Sequence, residues 1–147
     1  MTGSISTVAV GTDGSQTAGR ALAAAFELAE RYGARLVVLS AFQSSARSRN
    51  PRLSGGSSGN PGWDSNAAEQ VERILAMAEE SAAARGLECE TAVGEGEPGE
   101  VLVSLAEQHG ADVLVVGNQG MERRVLGSVP NTVSHKAACS VLIVKTA

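Results

Sequence analysis

Apolar positions divide this chain into segments with two different periods. Short runs of apolar and β-branched residues predict buried strands at 5–11, 35–41, 87–93, 113–116 and 141–144. Between the strands, apolar residues that recur every three or four positions predict helices at 18–29, 67–82 and 101–106, and a polar/apolar pattern predicts a fourth at 128–137. Glycines at 33, 86 and 110 close the first three helices. The order βαβαβαβαβ predicts a Rossmann-like α/β fold: an open, mainly parallel five-stranded sheet with helices on both faces.

Composition and charge indicate one domain with a small-molecule partner. A chain of 147 residues can bury roughly 70% of its unfolded surface, and no internal repeat or linker divides residues 1–147. With 12 basic and 16 acidic residues, the net charge of −4 argues against nucleic acid and anionic membranes as partners. No apolar run approaches the ~20 residues of a membrane span, and the start MTGSIST lacks a signal-peptide pattern. We therefore expect a cytoplasmic protein.

Cysteine and histidine positions give no indication of metal or nucleophilic chemistry. Cys89 and Cys139 lie in apolar surroundings without metal-ligand spacing, and we interpret both as small buried hydrophobic residues in a reducing compartment. His109 and His135 have no paired nucleophile and no ligand partner at useful spacing. We expect surface or helix-terminal roles for both histidines.

The segment 43–64 departs from the alternating pattern. It contains six Ser, four Gly and two Pro in 22 residues, a composition that cannot bury enough apolar surface to order itself. Arg47, Arg49 and Arg52 precede any acidic residue in it. Two interpretations stay open: a solvated, flexible insert, or a lid that folds over a polyanion.

The strongest candidate for a binding site follows the fourth strand, in the stretch VLVVGNQGMERRVLGSVP. The apolar run breaks at Gly117 into a loop that also contains Gly120 and Gly127, and a helix is predicted to start with Ser128 near its cap. Glycines allow the backbone to approach a phosphate closely. Unpaired amides around Gly127, Ser128 and Val129 would supply donors at the positive end of the helix dipole. The stretch therefore predicts an anion site.

Other glycine patterns in the chain are not nucleotide signatures. A literal G-x-G-x-x-G occurs at 94–99, but it follows the third strand instead of the first, and Glu95 and Glu97 would repel a pyrophosphate. We interpret it as a turn that leads into a helix. No lysine follows a glycine loop in the position that a P-loop requires, which excludes a P-loop NTPase.

The first strand also ends in turn chemistry, in the sequence GTDGS with Asp13 at its centre. Ligands of open parallel sheets bind outside the carboxyl ends of the strands, where the connections diverge to the two sides. The first and fourth strands can flank such a point. The carboxylate of Asp13 and the glycine loop are therefore predicted to share one edge of the sheet.

With these motifs the chain resembles the universal stress protein family over nearly its whole length. The resemblance is carried by VAVGTDGS, ALAAAFELAERYGARLVVLSA, GEPGEVLVSLAEQHGADVLVVGNQG and LGSVPNTVSHKAACSVLIVKT. The glycine loop resembles that of the ATP-binding branch, with the pattern G-x2-G-x9-G-[S/T]. Here six residues separate Gly120 from the pair Gly127 and Ser128, so three residues are missing from the part that would wrap the outer phosphates.

The resemblance implies an adenine-nucleotide site, with ATP as the first expectation and AMP or cyclic AMP as alternatives. It implies that Asp13 contacts the ribose and, together with the phosphates, a metal ion such as Mg²⁺, and that the backbone near Thr12 and Ala41 borders the adenine. Arg123 and Arg124 either supply charge-assisted bonds to phosphate or point into solvent. The residues expected to contact the nucleotide are Gly11, Thr12, Asp13, Ala41, Gly117, Asn118, Gly120, Arg123, Arg124, Gly127, Ser128 and Val129.

Three classes of function compete. The first is a binder that senses or sequesters the nucleotide as a homodimer paired through the apolar last strand. It is not expected to be an enzyme, because no set of groups for phosphoryl transfer is visible beyond Asp13, and any hydrolysis should be slow. The second is a receiver-type phosphoacceptor domain, suggested by Asp13 and Lys145 but disfavoured because the third strand ends in Val-Gly-Glu without an acceptor aspartate. The third is a family member that binds no nucleotide and acts as a protein-interaction module.

Overall fold

The computed structural model describes residues 4–12, 16–42, 62–118 and 127–145, and nine elements alternate along these ranges as the apolar pattern predicts. The strands are β1 (Thr7–Gly11), β2 (Arg35–Phe42), β3 (Cys89–Glu95), β4 (Val113–Asn118) and β5 (Ser140–Lys145). The helices are α1 (Gln16–Tyr32), α2 (Gly62–Ala84), α3 (Pro98–Gln108) and α4 (Ser128–Lys136). The predicted α/β class is confirmed.

All strand pairs are parallel, and the order in the sheet is β3-β2-β1-β4-β5. β2 and β3 are added in turn on one side of β1. The chain then crosses to the other side of β1, where β4 and β5 are added. β1 and β4 are therefore neighbours at the point where the connections diverge, and β3 and β5 form the two edges. The adjacency of β1 and β4 agrees with the prediction from sequence.

Helices cover both faces of the sheet, which explains why the central strands are apolar throughout. Alternate residues of β1 point to opposite faces: Val8 and Val10 pack against α1 and α2, and Ala9 packs against α3 and α4. The first face is completed by buried residues that include Ala21, Ala25, Phe26, Val38, Leu75 and Val115. The second is completed by Val37, Leu39, Leu102, Ala106, Leu114, Val116 and Val133.

Helix α2 begins earlier than the sequence pattern predicts. Its first residues, 62–64, fall inside the segment interpreted as a loop, because they carry no apolar period by which a helix could be recognised. The rest of that segment, with Arg47, Arg49 and Arg52, lies outside the described residues, and its two interpretations stay predictions. Over the described ranges, none of the helices combines the length and apolarity that crossing a membrane requires.

The two cysteines are only partly buried and lie on opposite sides of the sheet. Cys89 opens β3 and packs at the margin of one core cluster, and Cys139 precedes β5 at the margin of the other. Burial, together with the charges of Glu79 and Glu90, raises the pKa of the Cys89 thiol to about 11. Both thiols therefore contribute apolar surface, as predicted, although neither is fully enclosed.

Candidate functional site at the carboxyl ends of the strands

Strands β1 and β4 separate at their carboxyl ends. Their pairing begins at Val8 and ends where Val10 meets Val115. Beyond that point β1 stays paired with β2 through Gly11, and β4 stays paired with β5 through Asn118. The connections diverge here, so this is the switch point of the sheet, which is the place where open parallel sheets bind ligands.

The end of β1 is fixed by bonds to β2. The Thr12 amide donates to the Leu39 carbonyl at 2.9 Å, and the Ser40 hydroxyl donates to the Thr12 carbonyl at 2.9 Å. Ser40 is fully buried and was not among the predicted site residues. The signal that could have identified it is a hydroxyl residue near the end of an otherwise apolar strand.

Gly11 lies in β1 against helix α3. A Cβ added to Gly11 would lie 2.7 Å from the Cδ1 atom of Leu102, so the absence of a side chain lets α3 pack closely on the end of the strand. This packing is a structural use of Gly11. Its predicted contact with a nucleotide stays a prediction.

Asn118 connects the end of β4 to the start of α4. Its Oδ1 atom accepts a hydrogen bond of 2.8 Å from the Gly127 amide, nine residues along the chain. Gly127 is the N-cap of α4, with an extended backbone (φ −66°, ψ 173°), and its carbonyl accepts from the Asn131 amide at 3.0 Å. The prediction of an unpaired amide at Gly127 is therefore wrong, because Asn118 is its acceptor.

The first turn of α4 begins beside the end of β4 with two amides that the helix does not use. Ser128 and Val129 are the first two helix residues, and the N-cap, Gly127, has no side chain with which to cap the helix. Their amides fall outside the helical hydrogen-bond ladder, and Pro130, the third residue, has no N–H. Ser128 was predicted near the cap, and it lies one residue inside because Gly127 takes the extended cap conformation. These two amides and the helix dipole can stabilise an anion.

The structure brings most of the predicted site residues to this edge of the sheet. Thr12 directly follows β1 and Gly117 is the next-to-last residue of β4, so both lie at the carboxyl edge of the sheet. Ala41 is half-buried on β2, two residues beyond Leu39, which is the partner of Gly11. Four of the predicted residues lie outside the described ranges, and their roles stay predictions: Asp13, Gly120, Arg123 and Arg124. In the part of the chain that is described, no group of three or more His, Cys, Asp or Glu could hold a metal ion.

The rejected G-x-G-x-x-G pattern is a turn into a helix, as predicted. Glu97 caps α3 by accepting a 3.0 Å hydrogen bond from the Glu100 amide, and Pro98 is the first helix residue. The structure also gives Gly99 a role that the sequence did not reveal. A Cβ on Gly99 would lie 2.7 Å from the Cβ of Thr132, so this glycine lets α3 and α4 pack in close contact.

The strand order excludes the receiver-type alternative. Receiver sheets place β1 next to β3, so that the aspartate after β1 and the acceptor aspartate after β3 share one site. In this sheet β2 separates β3 from β1. Residues at the end of β3 therefore do not complete a phosphoacceptor site around β1.

A parallel five-stranded sheet in the order β3-β2-β1-β4-β5, with helices on both faces and a switch point between β1 and β4, defines a Rossmann-like α/β protein. Within that class, the model of the universal stress protein family matches residues 4–145. The chain belongs to the universal stress protein family.

Two of the following three relatives are similar to this chain over nearly its whole length, and the third over about half of it. The universal stress protein Rv1636 of Mycobacterium tuberculosis is 36% identical over 149 residues, which cover 95% of this chain and 96% of the relative. The universal stress protein YxiE of Bacillus subtilis is 38% identical over 76 residues, about half of each chain. A universal stress protein solved in complex with cAMP is 34% identical, with a TM-score of 0.73 over 98% of this chain and 99% of that one.

Proposed function

We propose that this chain binds an adenine nucleotide at the switch point between β1 and β4, and that it senses or sequesters that nucleotide without catalysing a reaction on it. The observation that carries the proposal is the placement of two helix amides, of Ser128 and Val129, beside the end of β4, where no described residue accepts a hydrogen bond from them. The relative in complex with cAMP, 34% identical over nearly the full length, supports an adenine nucleotide as the ligand class.

In the proposed arrangement the nucleotide lies across the carboxyl ends of the strands. A phosphate accepts hydrogen bonds from the amides of Ser128 and Val129 and from the Ser128 hydroxyl, which is exposed. The adenine lies toward Thr12 and Ala41. Because the Thr12 amide already donates to Leu39, we expect Thr12 to supply contact surface for the base and no donor.

The identity of the nucleotide depends on how many phosphates the site can hold. ATP is the expected ligand, with Mg²⁺ near Asp13, by resemblance to the ATP-binding branch. Two amides and one hydroxyl suffice for a single phosphate group, and the loop after β4 is three residues shorter than the ATP-branch pattern. These two observations, together with the relative in complex with cAMP, favour AMP or cyclic AMP as a second candidate. Arg123 and Arg124 in the short loop are proposed to supply charge-assisted bonds to the phosphate of either ligand.

Calorimetric titration of nucleotide-stripped protein with ATP, AMP and cyclic AMP, each with and without Mg²⁺, tests the proposal. Saturable ATP binding that Mg²⁺ strengthens would support a triphosphate site. Preference for AMP or cyclic AMP would mean that the short loop holds one phosphate. Absence of binding to all three, with the fold intact by circular dichroism, would overturn the proposal and leave the protein-interaction module as the remaining function.

We also propose a homodimer that forms through β5, in the cytoplasm. Strand β5 is an edge of the sheet, and Leu142 in its centre is 39% exposed. The partly buried, unbridged thiols of Cys89 and Cys139 fit a reducing compartment. Light scattering during gel filtration checks the dimer, and a monomer at micromolar concentration would contradict it. We expect any release of phosphate from ATP to be slow, because the described residues of the proposed site include no group to orient an attacking nucleophile.

A further inference from the structure

Asn118 is a buried polar residue whose position in the fold has a consequence for the proposed site. It is the last residue of β4 and only 2% exposed, paired in register with Lys145 of β5. A carboxamide at that depth costs free energy unless it is hydrogen-bonded, and its Oδ1 atom accepts from the Gly127 amide at 2.8 Å. The bond spans the whole loop between β4 and α4.

Gly127 is the residue that sets where α4 begins. It has no side chain with which to cap the helix, and its carbonyl accepts the first hydrogen bond of the helix, from Asn131. The Ser128 amide shares its peptide with that carbonyl, so the helix sets its direction, and the bond from the Gly127 amide to Asn118 holds this first peptide of the helix at the end of β4. The position of the Ser128 and Val129 amides relative to the sheet therefore depends on Asn118.

We infer that Asn118 is a positioning residue: by binding the Gly127 amide, it holds the first turn of α4 at the end of β4 and so places the Ser128 and Val129 amides for a phosphate before any ligand arrives, and it does not itself bind the nucleotide. The inference rests on the proposed function. Of the three amides at the start of α4, that of Gly127 binds Asn118, and those of Ser128 and Val129 bind the phosphate. Such preorganisation reduces the ordering cost of binding, so its loss should weaken phosphate binding selectively.

Hydrogen exchange in the unmodified protein, followed by NMR with AMP as the probe, tests this division. The Gly127 amide should be protected without ligand, and AMP should leave its protection unchanged. The amides of Ser128 and Val129 should gain protection only when AMP is added. Gain of protection at Gly127 together with its two neighbours would overturn the inference, because Gly127 would then be a direct ligand of the phosphate.

Titration of Asn118→Ala with adenosine and with AMP provides the second test. Adenosine carries the base and ribose without the phosphate, so its affinity should change less than twofold, whereas AMP should bind about tenfold more weakly. Equal weakening for both ligands would show a merely structural role and overturn the inference. Failure of the wild type to bind AMP, ATP and cyclic AMP alike would instead overturn the proposed function itself.

Asn118→Asp keeps the test decisive if the alanine variant does not fold. A carboxylate retains an acceptor for the Gly127 amide, so the protection of that amide and the affinity for adenosine should remain those of the wild type. The added negative charge should weaken AMP binding, and the loss should shrink as ionic strength rises. Loss of Gly127 protection in this variant would overturn the inference, since the acceptor would be present without its effect.

Discussion

The two ends of the β1–β4 pair are held together by different chemistry. At the amino end, the Oδ2 atom of Asp112, just before β4, accepts hydrogen bonds from the Ser6 amide (2.9 Å), the Thr7 amide (3.0 Å) and the Ser6 hydroxyl (3.2 Å). Beside it, Arg35 donates to the Thr7 hydroxyl, to the His109 carbonyl and to Glu90. Charged side chains therefore connect β1 to its neighbours at this end.

At the carboxyl end, the described bonds around the same two strands are made by neutral groups. The Ser40 hydroxyl holds Thr12, and the Asn118 amide oxygen holds Gly127. A carboxylate in place of the Asn118 amide would add negative charge next to the proposed phosphate position. The two ends therefore differ in charge: charged side chains hold the end where no ligand is proposed, whereas a neutral donor, Ser40, and a neutral acceptor, Asn118, hold the end where we propose that an anion binds.

The change expected to have the largest effect is Gly99→Ala, which should disturb stability and binding together. The new Cβ would lie 2.7 Å from the Thr132 Cβ, an atom attached to the backbone that cannot rotate away. Helices α3 and α4 would have to separate, at a cost of about 1–3 kcal/mol in unfolding free energy. Because α4 carries the Ser128 and Val129 amides, nucleotide affinity should fall as well. Urea unfolding and calorimetric titration measure the two effects.

Gly19→Ala is the matched control for this substitution. Gly19 is exposed on α1, and no heavy atom lies within 4 Å of a Cβ added there, so the variant should be at least as stable as the wild type and bind equally well. If Gly99→Ala matched this control in both measurements, the close contact between α3 and α4 would not position the site.

Gly99 also shows where prediction from sequence reached its limit. The sequence predicted the type and order of every described element and the β1/β4 switch point, because apolar periods and glycine stops are local patterns. A glycine that serves a contact with Thr132, 33 positions away, has no local pattern. Asp112 likewise has no local pattern that predicts its bonds, because Ser6 comes beside it only in the folded chain. The bond between Gly127 and Asn118 could not be predicted from a local pattern either.

Gly127→Val should affect binding while leaving stability nearly unchanged. The backbone at Gly127 (φ −66°, ψ 173°) is extended and accessible to any residue, so the substitution introduces no backbone strain. A branched side chain beside the Ser128 amide would keep a phosphate from approaching the backbone, and we expect about tenfold weaker nucleotide binding. Gly19→Val is the matched control. Unchanged affinity in a folded Gly127→Val protein would show that this loop is not the phosphate site.

Asp112→Ala should have the opposite profile, with lower stability and unchanged nucleotide affinity. It removes the acceptor of two backbone amides and a hydroxyl, which should cost about 1–2 kcal/mol of unfolding free energy, since the group is partly exposed. The site is at the other end of the strands, so titration should give wild-type affinity. A loss of affinity as large as that in Gly127→Val would mean that the two ends are coupled.

The pH dependence of stability should identify the same carboxylate. Hydrogen bonds, first from the Ser6 amide and then from the Thr7 amide, lower the pKa of Asp112 in the folded state. Its contribution is therefore fully present above the pKa of an unfolded aspartate, about 4, and is lost as the pH falls through the lower folded pKa. Asp112→Asn keeps an acceptor oxygen but cannot titrate, so its unfolding free energy should decline less on acidification than that of the wild type.

Glu90→Gln is expected to have the smallest effect, although it breaks an ion pair at the charged end. A hydrogen bond from Arg35, and then the charge of that guanidinium, lower the pKa of Glu90, so any stabilisation exists above the pKa of an unfolded glutamate and is lost on acidification. The carboxylate is exposed, however, and Arg35 keeps its bonds to Thr7 and to the His109 carbonyl when Glu90 is neutralised. Thermal unfolding at neutral pH should therefore not distinguish Glu90→Gln from the wild type, at low or high salt. If its acid dependence instead changed as much as that of Asp112→Asn, the amino end would owe its stability to a coupled network of charges and not to the hydrogen bonds of Asp112 alone.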